Sequence, residues 1–261
     1  MDPHSRSSLD SPTKLDRARV APRGRARWLL TLYPDACEAG GCLQSAGGSS
    51  GGDSWWEPEP GRSAFEAARR ARGQVRRYCA ANRLNRLGDV TYAGAGCFDP
   101  LQLRADVAEF FKRLRCAVGI PFPYLWVTEW HKSHGLHAHL AVNRFIPWGQ
   151  IVEAWGRGHV WIHYHGDLPV GSGALGEARV NGRYLAKYIG KDFGHGSATG
   201  LHRYEVAEGF QPRRVRLVGE SATEVVGRAS ALMGCEPEVR WDSASEETWA
   251  GPPAVWVSWA P

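Results

Sequence analysis

The stretch "YLWVTEWHKSHGLHAHLAV", Tyr124 to Val142, decides the fold. Two runs rich in β-branched and aromatic residues flank a short polar turn that holds a glycine, the pattern of a β-hairpin. Side chains alternate across a strand, so His137 and His139 project together while Ala138 and Leu140 point the other way. With His131 to Gly135 as the turn, Trp130 pairs with Leu136, and Glu129 falls opposite His137 on the imidazole face. Glu129, His137 and His139 are therefore candidate metal ligands. Two imidazoles and a carboxylate suit Mg, Mn or Zn with positions left open, as in a catalytic site. A structural zinc would take a fourth ligand, which His131 or His134 could supply; histidines that merely decorate a wet strand are the plain alternative.

Around this hairpin the chain alternates helix and strand. "SAFEAARRARGQVRRYCAANRLNR" from Ser63 begins with a capping residue followed by Glu66 and carries arginine on most turns, so a basic helix is expected there, either solvated or set against phosphates. "DVTYAG" around Thr91 reads as a strand, and Leu101, Leu103, Val107, Phe110, Phe111, Leu114 and Val118 recur at helical spacing. After the hairpin come a short helix in "PWGQIVEAWG", a strand in "HVWIHYHG" and a helix in "GEARVNGRYLAKYIGKDF". Hairpin-paired strands interrupted by helices predict an α+β fold, a central antiparallel sheet with helices packed on it.

Residues 1–60 are rich in Ser, Gly, Pro and Arg and are expected to form a disordered tail, residues 61–220 the working domain with its basic helix, and 221–261 a C-terminal appendage. On that division, removal of residues 1–55 would leave the chemistry intact. In the appendage, "SATEVVGRASALMG" looks helical and "PPAVWVSWAP" looks like an edge strand or a segment docked on the sheet. A formal net charge of +5 favours an anionic partner. No apolar run is long enough to span a bilayer, and six scattered cysteines without a signal peptide fit a soluble protein of a reducing cytoplasm; Cys37 and Cys42 could bind a metal only if Cys79 or another residue joined them.

"GRYLAKYIGKDF" puts Tyr184, Lys187, Tyr188 and Lys191 on one expected helix face, with Leu185 and Ile189 as an adjacent apolar stripe. Tyrosines also sit at such boundaries for packing reasons alone. A phenol attacks poorly unless its target is made more electrophilic, and a metal on the histidine hairpin would do that to a phosphate, with Lys187 stabilising phenolate or holding the phosphate.

The two motifs in this order resemble the HUH endonucleases, in particular the rolling-circle replication initiators of plasmids and small single-stranded-DNA phages. His137-Ala138-His139 is similar to the family's metal motif, Glu129 stands where many members carry a third ligand, and "YLAKY" with "IGK" looks like the nucleophile motif with two usable tyrosines. The chain departs from the family's apolar first-motif strand at Gly88 and Asp89, which unsettles the expected edge of the sheet. The resemblance implies a ferredoxin- or RRM-like antiparallel sheet, a divalent metal (Mg or Mn, with Zn open) and no nucleotide cofactor. It further implies that Tyr184 attacks single-stranded or supercoiled origin DNA, leaving a 5′-phosphotyrosine and a 3′-OH, and that Tyr188 cuts again after a round of synthesis. Trp126, Trp130 and Trp161 are candidates for stacking on bases, although at least two of them are expected in the core. His163 and His165 are read as structural or as DNA contacts. No GxxxxGK[ST] loop is present, so a host helicase and polymerase are the implied partners in a bacterial cytoplasm. A single-strand transposase or relaxase would share the chemistry, and a non-catalytic, zinc-stabilised nucleic-acid-binding module is the reading from a different class.

Overall fold

The computed structural model describes residues 26–44, 62–131, 135–163, 173–190 and 204–260. His134, His165, Lys191, His195 and His202 lie outside the described residues. In chain order the elements are β1 (Arg27–Tyr33), β2 (Glu38–Gln44), α1 (Arg62–Ala81), β3 (Arg86–Tyr92), α2 (Pro100–Val118), β4 (Tyr124–His131), β5 (Gly135–Val142), α3 (Trp148–Trp155) and β6 (Gly158–His163). There follow α4 (Gly173–Ala186), β7 (Tyr204–Val206), β8 (Val215–Gly219), α5 (Ala222–Met233), β9 (Val239–Asp242) and β10 (Ala254–Ser258). The fold is α+β, as expected, but it is built on two antiparallel five-stranded sheets rather than one, ordered β6-β3-β5-β4-β7 and β8-β1-β2-β10-β9. No described helix is long and apolar enough to cross a membrane.

The first sheet carries the histidine hairpin at its centre. β5 is flanked by β3 and β4 and all eight of its residues are buried, because helices cover both faces. Ala138, Leu140 and Val142 share a core with Val107, Phe110 and Phe111 of α2 and Ile151 and Trp155 of α3. Ala141 on the other face packs with Leu125, Val127, Val75 and Tyr78 of α1 and Leu185 of α4. α2 forms where its caps dictate: the Asp99 carboxylate accepts from the Leu101 N–H, Pro100 sits at the first turn, and Gly119 closes the helix in the left-handed region. Leu101, expected on its apolar stripe, is exposed at the helix start.

The departure at Gly88 and Asp89 does not mark an edge. β3 lies between β6 and β5, and Gly88 is required there because a Cβ would stand 2.8 Å from the Trp161 carbonyl oxygen and 3.2 Å from Ile162 Cδ1. The second sheet corrects the expected tail and appendage. Residues Arg27–Tyr33 and Glu38–Gln44, assigned to the tail for their surrounding Gly/Ser composition, form β1 and β2, and β10 is an interior strand between β2 and β9. Leu30, Leu32 and Ala39 bury against Val225 and Ala229 of α5, Val255 and Val257 of β10, and Trp259. The apolar alternation of "WLLTLY" finds a partner only because the far end of the chain returns to it.

Candidate metal centre and tyrosine pair

The hairpin register is the one the turn length predicts: Glu129 pairs with His137, and Trp130 with Leu136. Glu129 Oε2 lies 2.8 Å from His139 Nε2 and 3.2 Å from His137 Nε2, and the two Nε2 atoms are 3.2 Å apart. These are the edges expected for three ligands on one face of an octahedron, about 3 Å when each sits about 2.1 Å from a cation. Among the described residues this group alone brings three such donor atoms together. His131 stands at the end of β4, its ring 5.8 Å from that of His137.

Proton bookkeeping tests whether the three side chains fit a metal. His139 Nδ1 is 2.5 Å from Asp89 Oδ1, so Nδ1 carries the proton and donates it to the carboxylate. His139 Nε2 then presents a lone pair toward Glu129 Oε2. Acceptors this close repel unless a cation lies among them, and a divalent metal satisfies all three at once. Burial, and then the neighbouring His139, push the His137 pKa down, which favours the neutral ligating form. Glu129, His137 and His139 could therefore hold a metal ion, and the donor set leaves its identity open.

Asp89 is the functional residue that sequence reasoning missed. Its Oδ2 also accepts from His163 Nε2 at 2.6 Å, so one carboxylate orients two histidines. Burial works to raise its pKa, yet the hydrogen bonds and charges of His139 and His163 hold it below the usual carboxylate value. The signal was available: an acid in the middle of a strand whose register sets it opposite His139.

The tyrosine segment meets this face, with one change from the expected geometry. α4 ends at Ala186, and the Lys187 N–H bonds the Tyr184 carbonyl at 3.1 Å, so Tyr188 enters a 3-10 turn, Tyr188–Gly190. Lys187 consequently points to solvent while Tyr188 is buried, although Lys187 Nζ still lies 5.5 Å from the Tyr184 ring centroid. The Tyr188 ring stacks on His139, centroids 4.0 Å apart and planes 19° from parallel. Its hydroxyl donates to the Tyr184 hydroxyl oxygen at 2.8 Å. Tyr184 is the more exposed phenol, with its ring 5.8 Å from both His139 and His163. Burial, then the bond to Tyr184, raise the Tyr188 pKa well above that of a free phenol, so Tyr188 stays a neutral donor.

Of the tryptophans considered for stacking, Trp126 is buried, Trp130 packs against the α2 core, and Trp161 is exposed. Cys37 is buried and Cys42 half-buried, and neither belongs to a convergent ligand group among the described residues. Residues 87–193 match the family model of the replication-associated protein ORF2, consistent with a rolling-circle replication initiator. No curated protein and no solved structure matches the chain.

Proposed function

We propose, from the match of residues 87–193 to the replication-associated protein family, that the chain is a rolling-circle initiator that nicks and rejoins single-stranded origin DNA through Tyr184. The observation that carries this reading is the tyrosine pair lying directly on the ligand histidines, Tyr188 stacked on His139 and hydrogen-bonded to Tyr184. A divalent metal, Mg or Mn, held by Glu129, His137 and His139 supplies Lewis acidity to a non-bridging phosphate oxygen.

The Tyr184 oxygen forms a bond to phosphorus as the P–O3′ bond breaks, and the phenol proton is balanced by the one that O3′ gains on leaving as a hydroxyl. Tyr188, neutral and donating, stabilises phenolate character on Tyr184 before attack, and the Lys187 ammonium over the Tyr184 ring acts in the same direction. The products are a 5′-phosphotyrosine and a 3′-OH that primes a host polymerase behind a host helicase. A later 3′-OH attacks the same phosphorus and releases the phenol, so joining needs no nucleotide. Tyr188 performs the second cut after one round.

The test is a mass-shift assay for a covalent adduct on unpaired origin DNA with Mn or Mg. The parent protein should form the adduct and Tyr184→Phe should lower it to background. Adduct retained in Tyr184→Phe but lost in Tyr188→Phe would exchange the two roles. Tight zinc binding with no adduct on any origin substrate would remove the enzyme reading in favour of a zinc-stabilised binding module.

A further inference from the structure

The geometry points to a cradle for unpaired bases beside the metal face, built by Trp161, Trp148 and Phe145 with Arg86 and Arg144. It rests on the nicking reading for the identity of its occupant, the same DNA strand that presents the scissile phosphate. A cavity of about 890 Å³ opens along β6, the outer strand of the first sheet. Its lining includes Leu87, Leu140, Ile151 and Ile162, together with three aromatic side chains that are unusually exposed: Phe145 at 76%, Trp161 at 69% and Trp148 at 59%. Large aromatics left this bare beside an apolar cavity are costly in water unless a flat ligand covers them.

Charge selects the ligand. Arg86 and Arg144 line the cavity, and the lining acid Glu177 is engaged by the Asn85 amide at 2.7 Å. Aromatic faces beside guanidinium groups are what a single strand of nucleic acid requires, with bases stacked and phosphates held.

Continuity with the reaction site fixes which strand it is. Trp161 pairs in register with Asp89, and Asp89 with His139, so the three side chains share one row on one face. At about 4.8 Å per strand, Trp161 stands roughly 10 Å from the metal ligand, next to the scissile phosphate. His163 lines the cavity and bonds Asp89, joining the two sites without a gap.

Fluorescence anisotropy of the full chain with a labelled unpaired oligonucleotide of about 16 nucleotides, and with its duplex, tests the cradle. Trp161→Ala and Trp148→Ala should each weaken single-strand binding roughly tenfold. Trp161→Phe should retain most of it, and the duplex should show no such dependence. Arg86→Ala with Arg144→Ala should lower the slope of log affinity against log salt by about 0.7 per lost contact. Both Ala variants binding within about twofold of the parent, or losing duplex affinity equally, would overturn the cradle. The adduct assay run alongside separates the two readings. Adduct without aromatic dependence removes the cradle alone, whereas aromatic dependence without any adduct removes the nicking reading and keeps a surface for unpaired DNA.

Discussion

Asp89 couples the two histidine sites through one carboxylate, and its loss should be felt first in metal binding. Asn at this position keeps the size but cannot hold both imidazoles by accepting from each with a charged oxygen, so the His139 tautomer and ring orientation loosen. Asp89→Asn should weaken Mn binding by about 10- to 100-fold, read by calorimetry on protein first stripped with chelator. Unchanged affinity would mean that His139 is held in place by the Tyr188 stack alone. The triad itself was legible because its partners sit on adjacent strands of one hairpin, where alternation and turn length leave a single register. Asp89 was not, because it reaches His139 across a pairing between segments that local pattern does not join. What looked like a departure from an apolar strand is a polar residue buried for a purpose.

The elements that hold these residues depend on a few backbone positions. Gly135 opens β5 with φ +73, and a Cβ there would collide with the Cys97 carbonyl oxygen, the same oxygen that accepts from the Leu136 N–H at 2.6 Å. Gly135→Ala must therefore shift backbone against backbone at the start of the central strand. We expect a loss of at least about 2 kcal/mol, seen as a melting temperature lower by about 5 °C or more, together with weaker Mn binding as the Glu129–His137 register slips. A variant that melts with the parent would show that the turn absorbs the change. Helices were legible where caps and apolar spacing agree, as in α2. The end of α4 was not: Tyr184 and Tyr188 satisfy a continuous helical pattern, and only burial of Tyr188 on His139 shows why the last turn tightens and sends Lys187 outward.

At the scale of the whole molecule the two sheets are tied together through the helix that carries Tyr184. Arg179 of α4 donates to the carbonyls of Ala36, Cys37 and Trp259 at 3.2 to 3.4 Å, and Arg77 of α1 pairs with Glu38 at 2.7 Å. The second sheet escaped the sequence because its strands come from opposite ends of the chain, β2 reads "EAGGCLQ", and nothing local tells a Gly-rich strand from a linker. This changes what truncation should do. Removal of residues 1–44 takes away β1 and β2, strips cover from Leu217, Val255, Val257 and Trp259, and leaves β8 and β10 as bare edges. The shortened protein should aggregate, or melt at least about 5 °C below the parent. It should also form less adduct, because the anchor of α4 is gone. Arg179→Ala, which leaves both strands in place, should fold, melt lower than the parent by a smaller margin, and lose adduct in proportion. If the shortened protein instead melted and reacted like the parent, the second sheet would be an independent module, and the position of Tyr184 would be set by the first sheet alone.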